Sequence, residues 1–230
     1  QQAENERTRI ALEDNIVRPT DTIDCKNGIW QFNNNITIQD HNTGKEANGK
    51  IPASEAIVRS SNVAMAKIIY NGYKNNPQRY VDRLTKMGVG IPMNLEFPTA
   101  QKATIKGPKD KSDWSDFDLA SMGYGYSIKM PLLYTLAFYN AIANEGKMIR
   151  PYFIKSITKN TATVKKIQPE VLRSSICSAS TLSAIKEMML QVVEAKEHAT
   201  GKPVRSDFIQ IAGKTGTARY NYPNNTKHQV

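Results

Sequence analysis

The 230-residue chain has few of the residues that build metal and redox sites, with two cysteines and three histidines. Cys25 and Cys177 are far apart and match no metal-ligand spacing, so they allow a single disulfide at most, and two free thiols are equally ordinary. The histidines stand apart from one another and from acidic pairs. The sequence therefore gives no indication of a zinc site or of a Ser-His-Asp relay.

The chain also lacks long apolar runs, and its mean hydropathy of −0.50 argues against a membrane-spanning helix. It has no initiating methionine and no signal-like apolar segment at its start. Hydrophobic residues make up 40% of the chain, which is below the globular average but far above a disordered composition. The length is enough for one large domain or two small ones.

Acidic residues are outnumbered, since 31 Lys and Arg against 21 Asp and Glu give a formal net charge of +10. A nucleic-acid-binding protein would add a basic stripe interleaved with aromatics, or a known module. Neither is visible, so we expect no nucleic-acid partner. The charge is equally suited to anionic lipid headgroups, phosphorylated lipid-linked substrates or cell-wall polymers.

Helical periodicity covers four segments, each with its own start or stop residues. These predicted helices are residues 53–70, interrupted by Ser60-Ser61-Asn62; a helix beginning at Asn76-Pro77; one opened by Pro131; and one beginning near Ser180. Strand patterns cover residues 152–157 and 208–212, and the Asn-rich residues 28–40 suggest a weak hairpin. Because strands are expected mostly after residue 150, the sequence predicts an α+β domain.

Two short motifs can carry chemistry. Ser60-Ser61-Asn62 interrupts a helix, and Lys214-Thr215-Gly216, continued by Thr217, follows a predicted strand. A serine hydroxyl can relay protons, an asparagine offers a donor and an acceptor to an amide substrate, and Gly216 leaves a strand edge bare for a peptide. Each motif alone also fits a structural role, as a helix break or as a glycine turn. Together, S-x-N and K-T-G mark serine β-lactamases and penicillin-binding proteins.

In this order the motifs make the chain resemble the transpeptidase domain of class B penicillin-binding proteins, in particular division-type enzymes of Bacteroidetes-like bacteria. Further matches run along nearly the whole chain, at residues 11–14, 19–24, 56–63, 76–87, 123–125, 139–151, 176–178 and 212–218. The resemblance implies a serine β-lactamase-like fold, with an antiparallel sheet flanked by helices and an all-helical lobe. Residues 123–125 would shape a junction between sheet and helix.

The chain opens without methionine and closes on a polar stretch just after a predicted strand. We therefore expect residues 1–230 to be a partial transpeptidase domain, truncated at both ends. The helical lobe would occupy about residues 50–145, and the sheet-side elements about residues 146–230.

The resemblance also implies a role for each motif residue. Ser60 would relay a proton between the lysine of an S-x-x-K motif and the leaving amine, and Asn62 would bind that lysine and the substrate amide. Lys214 would supply positive potential toward the substrate carboxylate. The hydroxyls of Thr215 and Thr217 would bind that carboxylate, and the Thr217 N–H would form half of the oxyanion hole.

The expected nucleophile motif, S-x-x-K, does not precede S-x-N. The first serine of the chain is Ser54, and residues 1–6 do not match the motif. Two later strings fit the pattern, Ser156-Ile157-Thr158-Lys159 and Ser183-Ala184-Ile185-Lys186. Since both follow S-x-N, we interpret them as chance matches. We predict that the nucleophile is not in this chain and that this fragment is inactive.

For the full-length protein, the resemblance implies a D,D-transpeptidase that cross-links peptidoglycan stem peptides through a serine acyl-enzyme during cell division, without metal or organic cofactor. Its partners would be stem peptides, the lipid-linked precursor, divisome membrane proteins and, as covalent inhibitors, β-lactams. It would work at the periplasmic side of the cytoplasmic membrane, anchored by an N-terminal segment absent here. Three alternatives stay open: a D,D-carboxypeptidase or β-lactamase, a β-lactam-sensing relative, and a non-catalytic divisome or wall-binding scaffold of the same fold.

Overall fold

The computed structural model of the protein describes residues 4–42, 44, 47–95, 103–109, 113–216, 218–219 and 228–229. Its helices are α1 (Glu4–Glu13), α2 (Ala53–Val58), α3 (Asn62–Tyr73), α4 (Pro77–Lys86), α5 (Asp116–Tyr124), α6 (Leu132–Ala143) and α7 (Ala179–Glu194). Its strands are β1 (Thr22–Asp24), β2 (Ile29–Gln31), β3 (Thr37–Gln39), β4 (Lys50–Pro52), β5 (Thr104–Ile105), β6 (Ile128–Lys129), β7 (Met148–Ile149), β8 (Ser156–Lys159), β9 (Ala162–Lys166), β10 (Val171–Arg173), β11 (Ala218–Arg219) and β12 (His228–Gln229). None of the helices described has the length and apolar character needed to cross a bilayer.

The described strands pair in twos, and every pair is antiparallel: β1 with β4, β2 with β3, β5 with β6, β7 with β10, β8 with β9, and β11 with β12. The β2–β3 pair confirms the hairpin predicted in residues 28–40. Seven of the described strands begin before residue 150, so the expectation that strands mostly come later is wrong. Those early strands have only two or three residues, too few to give an alternating pattern.

Two of the predicted strands are also wrong in detail. Residues 152–155 precede the actual strand β8, and residues 208–212 form no strand. The side chain of Phe208 is 96% exposed, and the N–H of Gly213 donates to the carbonyl of Met189 in α7 at 3.1 Å. An apolar segment becomes a strand only when another strand pairs with its backbone, and residues 208–212 have no such partner among the described strands.

Helix starts follow the polar residues that predict them. The Oδ1 of Asn76 accepts from the N–H of Arg79 at 3.3 Å, and Pro77 opens α4. Pro131 directly precedes α6, and the Oγ of Ser178 accepts from the N–H of Thr181 at the start of α7. The side-chain oxygens of Asn76 and Ser178 satisfy amide groups that have no partner within the first turn, whereas α6 begins without a side-chain cap. All three helices begin within about one residue of their predicted starts.

The apolar core is built around α1 and α3. Val63, Met65 and Ile69 of α3 are fully buried, and α1 packs against α2, α3, α4, α5 and α7. The guanidinium of Arg9, also buried, lies 4.4 Å from the ring centroid of Phe138 in α6. The buried side chains of α3 and the packing of α1 against α2 and α3 therefore hold the junction of these two helices in place.

Helix α5 lies directly on α3 because Gly123 has no side chain. A Cβ at this position would lie 2.6 Å from the carbonyl oxygen of Met65 and 2.9 Å from Cα of Ala66. Gly125, with φ +123°, ends α5. The expectation that residues 123–125 shape a sheet–helix junction is therefore wrong, since this junction joins two helices.

We expect Gly123→Ala to lower the free energy of unfolding by about 1–2 kcal/mol, as measured by urea titration. Because the clash is with backbone atoms, which cannot move aside as a side chain can, we expect the upper part of the range of about 1–3 kcal/mol that overpacking costs. That cost exceeds the gain of about 1 kcal/mol in helix propensity. Gly213→Ala is the matched control, because a Cβ at that position would have open space around it. A stabilised Gly123→Ala variant would show that α5 can move away from α3 at little cost.

Candidate active site

The S-x-N residues form the tight turn between α2 and α3. Ser60 adopts a left-handed backbone conformation with φ +52°, which costs a non-glycine residue on the order of 1 kcal/mol. Ser61 then caps α3, because its Oγ accepts from the N–H of Ala64 at 3.0 Å. The half-buried Ser60 therefore lies outside both helices, at the break between them.

Lys214 reaches this turn from the K-T-G segment, 154 positions along the chain. Its Nζ lies 2.7 Å from Ser60 Oγ and 2.9 Å from the carbonyl oxygen of Thr215. The fold thus brings together one residue from each of the two motifs. A cationic nitrogen beside a hydroxyl oxygen can bind an anion and can influence proton transfer at that oxygen.

Thr200 connects the K-T-G segment to α2. Thr215 Oγ1 donates to Thr200 Oγ1 at 3.2 Å, and Thr200 Oγ1 donates to the carbonyl of Val58 at 3.0 Å. Residues 213–216 form no strand, so the hydrogen bonds to Val58 and to Met189 hold them against helices. Sequence reasoning missed Thr200, since a threonine in a polar stretch carries no signal of this contact.

The other predicted site residues have different surroundings. Asn62 Nδ2 donates to the carbonyl of Gln39 at 2.8 Å, at the end of β3. Gly216 is exposed. Thr217 lies outside the described residues, so its predicted roles remain predictions.

Neither chance S-x-x-K string has the surroundings of a nucleophile. Ser156 and Lys159 belong to β8, in which every residue is exposed. On α7, Ser183 is exposed, and Lys186 Nζ pairs with Glu145 Oε1 at 2.5 Å. The environment of each string is therefore consistent with its interpretation as a chance match.

A buried carboxylate lies behind the Ser60 turn. Asp40, directly after β3, accepts from Ser61 Oγ and from Asn48 Nδ2 on its Oδ2, and from the N–H of Val63 on its Oδ1, each at 2.8 Å. Burial raises the pKa of this carboxyl above its usual value, although the hydrogen bonds act in the opposite direction. Sequence reasoning missed Asp40, since residues 40–42 read as an ordinary polar loop.

Both cysteines are free thiols, so the disulfide that the sequence left open is not formed. Cys25 is buried with its Sγ 3.7 Å from Ser61 Oγ. Burial raises the pKa of both thiols, which makes them poor nucleophiles at neutral pH.

A scan against protein-family models matches residues 8–230 to the penicillin binding protein transpeptidase domain. The chain belongs to this family. The match confirms the resemblance seen in the sequence, and with it the α+β fold of the penicillin-binding transpeptidases and serine β-lactamases.

Curated relatives and solved structures agree with the family match. The chain is 30% identical over 166 residues to penicillin-binding protein PbpB of Mycobacterium tuberculosis, covering 70% of this chain and 23% of that protein. It is 26% identical over 163 residues to the probable peptidoglycan D,D-transpeptidase PbpC of Pseudomonas aeruginosa, covering 71% and 26%. The chain therefore spans about a quarter of the length of these relatives. A crystal structure of penicillin-binding protein 3 from Mycobacterium tuberculosis, complexed with aztreonam, is similar in fold, with a TM-score of 0.76, 24% identity, and coverage of 97% of this chain and 48% of that one.

Proposed function

We propose that this chain supplies the S-x-N and K-T-G residues of a serine-type peptidoglycan D,D-transpeptidase. The observation that carries the proposal is the 2.7 Å contact between Lys214 Nζ and Ser60 Oγ. This contact joins the two motifs that such enzymes place around the acylated serine. The name of the Pseudomonas aeruginosa relative supports the same reaction.

The proposed reaction has two acyl transfers. In the first, a serine oxygen attacks the carbonyl carbon of the D-Ala-D-Ala bond, the C–N bond breaks, and D-alanine leaves after its nitrogen takes a proton. In the second, an amine of a neighbouring stem peptide attacks the ester, the C–O bond breaks, and the serine regains its proton. The product is a peptide cross-link between two stems.

The described residues fit defined parts of this reaction. Ser60 Oγ accepts a hydrogen bond from Lys214, and in the proposed reaction the Ser60 hydroxyl donates its hydrogen to the leaving nitrogen. The ammonium group of Lys214 attracts the terminal carboxylate of the substrate. Thr215 Oγ1 lies next to Lys214, and its hydrogen would serve the same carboxylate after turning away from Thr200 Oγ1.

We place the nucleophile outside residues 1–230, in an S-x-x-K motif upstream of Arg7. Helix α1 packs against both α2 and α3, the two helices joined by the Ser60 turn. In this proposal the fragment alone is inactive. Ser60 and Lys214 would form part of the surroundings of the nucleophilic serine.

The proposed setting is the periplasmic side of the cytoplasmic membrane, where the full-length protein, anchored by an N-terminal segment, would act with division proteins. The net charge of +10 suits an enzyme whose precursor carries lipid-linked phosphates. The proposed covalent inhibitors are β-lactams, in line with the aztreonam complex of the structural relative.

A non-catalytic scaffold of the same fold is the second candidate. One observation favours it: no S-x-x-K motif precedes S-x-N within residues 1–59. A D,D-carboxypeptidase or a β-lactam-sensing relative would share the same motifs, and product analysis with and without an acceptor amine separates these from a transpeptidase.

Fluorescent penicillin tests the proposal on two proteins, the 230-residue chain and the same chain extended upstream through its S-x-x-K motif. We expect one covalent adduct per molecule on the extended protein alone, counted by intact-mass spectrometry, because only that protein holds the nucleophile.

Labelling of the short chain would contradict the absence of the nucleophile, and peptide mapping would show whether Ser156 or Ser183 had reacted. If both proteins are folded and neither is labelled, the non-catalytic scaffold becomes the favoured function. Circular dichroism on both proteins establishes that each is folded.

A further inference from the structure

The start of α3 is held by donors that converge on one carboxylate. Asp40 is 4% exposed and receives hydrogen bonds from Ser61, Val63 and Asn48 at 2.8 Å. The backbone N–H of Asn62 is a fourth donor. Three of these four donors belong to consecutive residues that directly follow Ser60.

All four groups donate, and this requires a carboxylate at position 40. An ionised carboxylate offers about four lone-pair positions and no hydrogen. An asparagine amide would turn an NH2 group toward at least one donor, leaving two buried donors face to face. The carboxylate is therefore matched to its surroundings in a way that an amide of the same shape is not.

The end of β3 also holds the side chain of Asn62 in place. Asn62 Nδ2 donates to the carbonyl of Gln39, the residue before Asp40. Ser60, in its left-handed conformation, is connected to α2 through its N–H, which donates to the carbonyl of Ile57 at 3.1 Å. The α3 side of the turn depends on Asp40, so a shift there changes the direction in which Ser60 points.

We propose that Asp40 is a positioning residue, which fixes the Ser60 turn so that Ser60 Oγ stays within reach of Lys214. This inference rests on the proposed function in one respect, namely that the Ser60–Lys214 pair is part of the active site. The role of Asp40 in holding that pair can be measured without any catalytic activity.

A cysteine in place of Ser60 makes the contact between position 60 and Lys214 measurable. In Ser60→Cys, the ammonium group of Lys214 stabilises the thiolate, so the pKa of the introduced thiol is expected below the ordinary value of about 8.5. The pH dependence of its alkylation by iodoacetamide gives that pKa, and peptide mapping separates it from Cys25 and Cys177. Adding Asp40→Asn is expected to raise the pKa of the introduced thiol by about one unit, because the turn moves away from Lys214.

Asp118→Asn, also added to Ser60→Cys, is the matched control. Asp118 is likewise a buried carboxylate at the start of a helix, and it accepts from the N–H and Oγ of Ser115. Its loss destabilises the protein through α5, and the pKa of the introduced thiol is expected to stay the same. An equal pKa with and without Asp40→Asn, despite a loss of stability, would overturn the proposal and leave Asp40 a purely structural residue.

Two further variants distinguish a failure of the Asp40 proposal from a failure of the proposed function. If Lys214→Met leaves the pKa of the introduced thiol unchanged, the Ser60–Lys214 pair itself is wrong and the proposed function loses its main support. If Asp40→Asn does not fold, Asn48→Ala replaces it, since it removes one of the donors to Asp40 and leaves the α3 cap of Ser61 in place. Asn48→Ala is expected to raise the same pKa by a smaller amount, and no change would again overturn the proposal.

Discussion

Lys214→Met is expected to slow acylation by fluorescent penicillin at least about 100-fold in the protein that carries the nucleophile. The substitution keeps an unbranched side chain, one heavy atom shorter, but removes the ammonium group that contacts Ser60 Oγ at 2.7 Å. Both the attraction for the inhibitor carboxylate and the hydrogen bond that orients the Ser60 hydroxyl are lost. The second-order rate constant, from a time course of adduct formation, measures the effect.

Lys186→Met is the matched control for this experiment. Lys186 ends a chance S-x-x-K string and pairs with the exposed Glu145, so its loss is expected to leave the acylation rate unchanged. Urea titration of both variants separates a slower reaction from a less stable fold. If Lys214→Met reacted at the parent rate, Lys214 would have no part in acylation, and the transferred roles of the K-T-G residues would have to be given up.

The sequence predicts helices better than strands here, and the reason is physical. Helix starts depend on residues next to each other, as with Asn76 and Pro77 or with Ser178, so a local pattern is enough. Strands depend on a partner from elsewhere in the chain. Residues 208–212 have the composition of a strand but do not pair, whereas β1 and β4 pair without any clear alternation to predict them.

The residues of the candidate site also fall into two groups, those that a local pattern predicts and those that depend on distant contacts. Ser60 and Lys214 were predicted because their motifs are local and resemble a known family, and the structure brings the two side chains together. Thr200 and Asp40 were not predicted, because each acts through contacts with residues far away in sequence. A polar residue next to an apolar strand is common, and only the folded chain shows which donors it receives.

An ionic cluster around Asp14 lies outside the candidate site, and we expect it to make the largest contribution to the stability of α1. The side chain of Asp14 is 0% exposed and pairs with Arg83 and with Arg79 of α4, the latter at 3.1 Å. The hydroxyl of Tyr73 in α3 donates to Asp14 Oδ2 at 3.0 Å. Burial alone would raise the pKa of Asp14, but the hydrogen bonds from Arg83 and Tyr73 and the two arginine charges outweigh it and lower the pKa.

Asp14→Asn is expected to lower the free energy of unfolding by about 2 kcal/mol at pH 7, because it removes charged hydrogen bonds to two arginines that remain partly in water. Since the pKa of Asp14 is lower in the folded state, its carboxylate stabilises the protein above the unfolded pKa of about 3.9, and this contribution is lost as the pH falls through the folded pKa. Urea titrations between pH 7 and pH 2 should therefore show the parent approaching the variant at the acid end. Asp21→Asn, which breaks an ion pair with the exposed Arg18, is the control and should change the unfolding midpoint little. A difference between parent and Asp14→Asn that persisted undiminished at pH 2 would assign the effect to packing of the side chain, and the charge of Asp14 would then not be what joins α1 to α4.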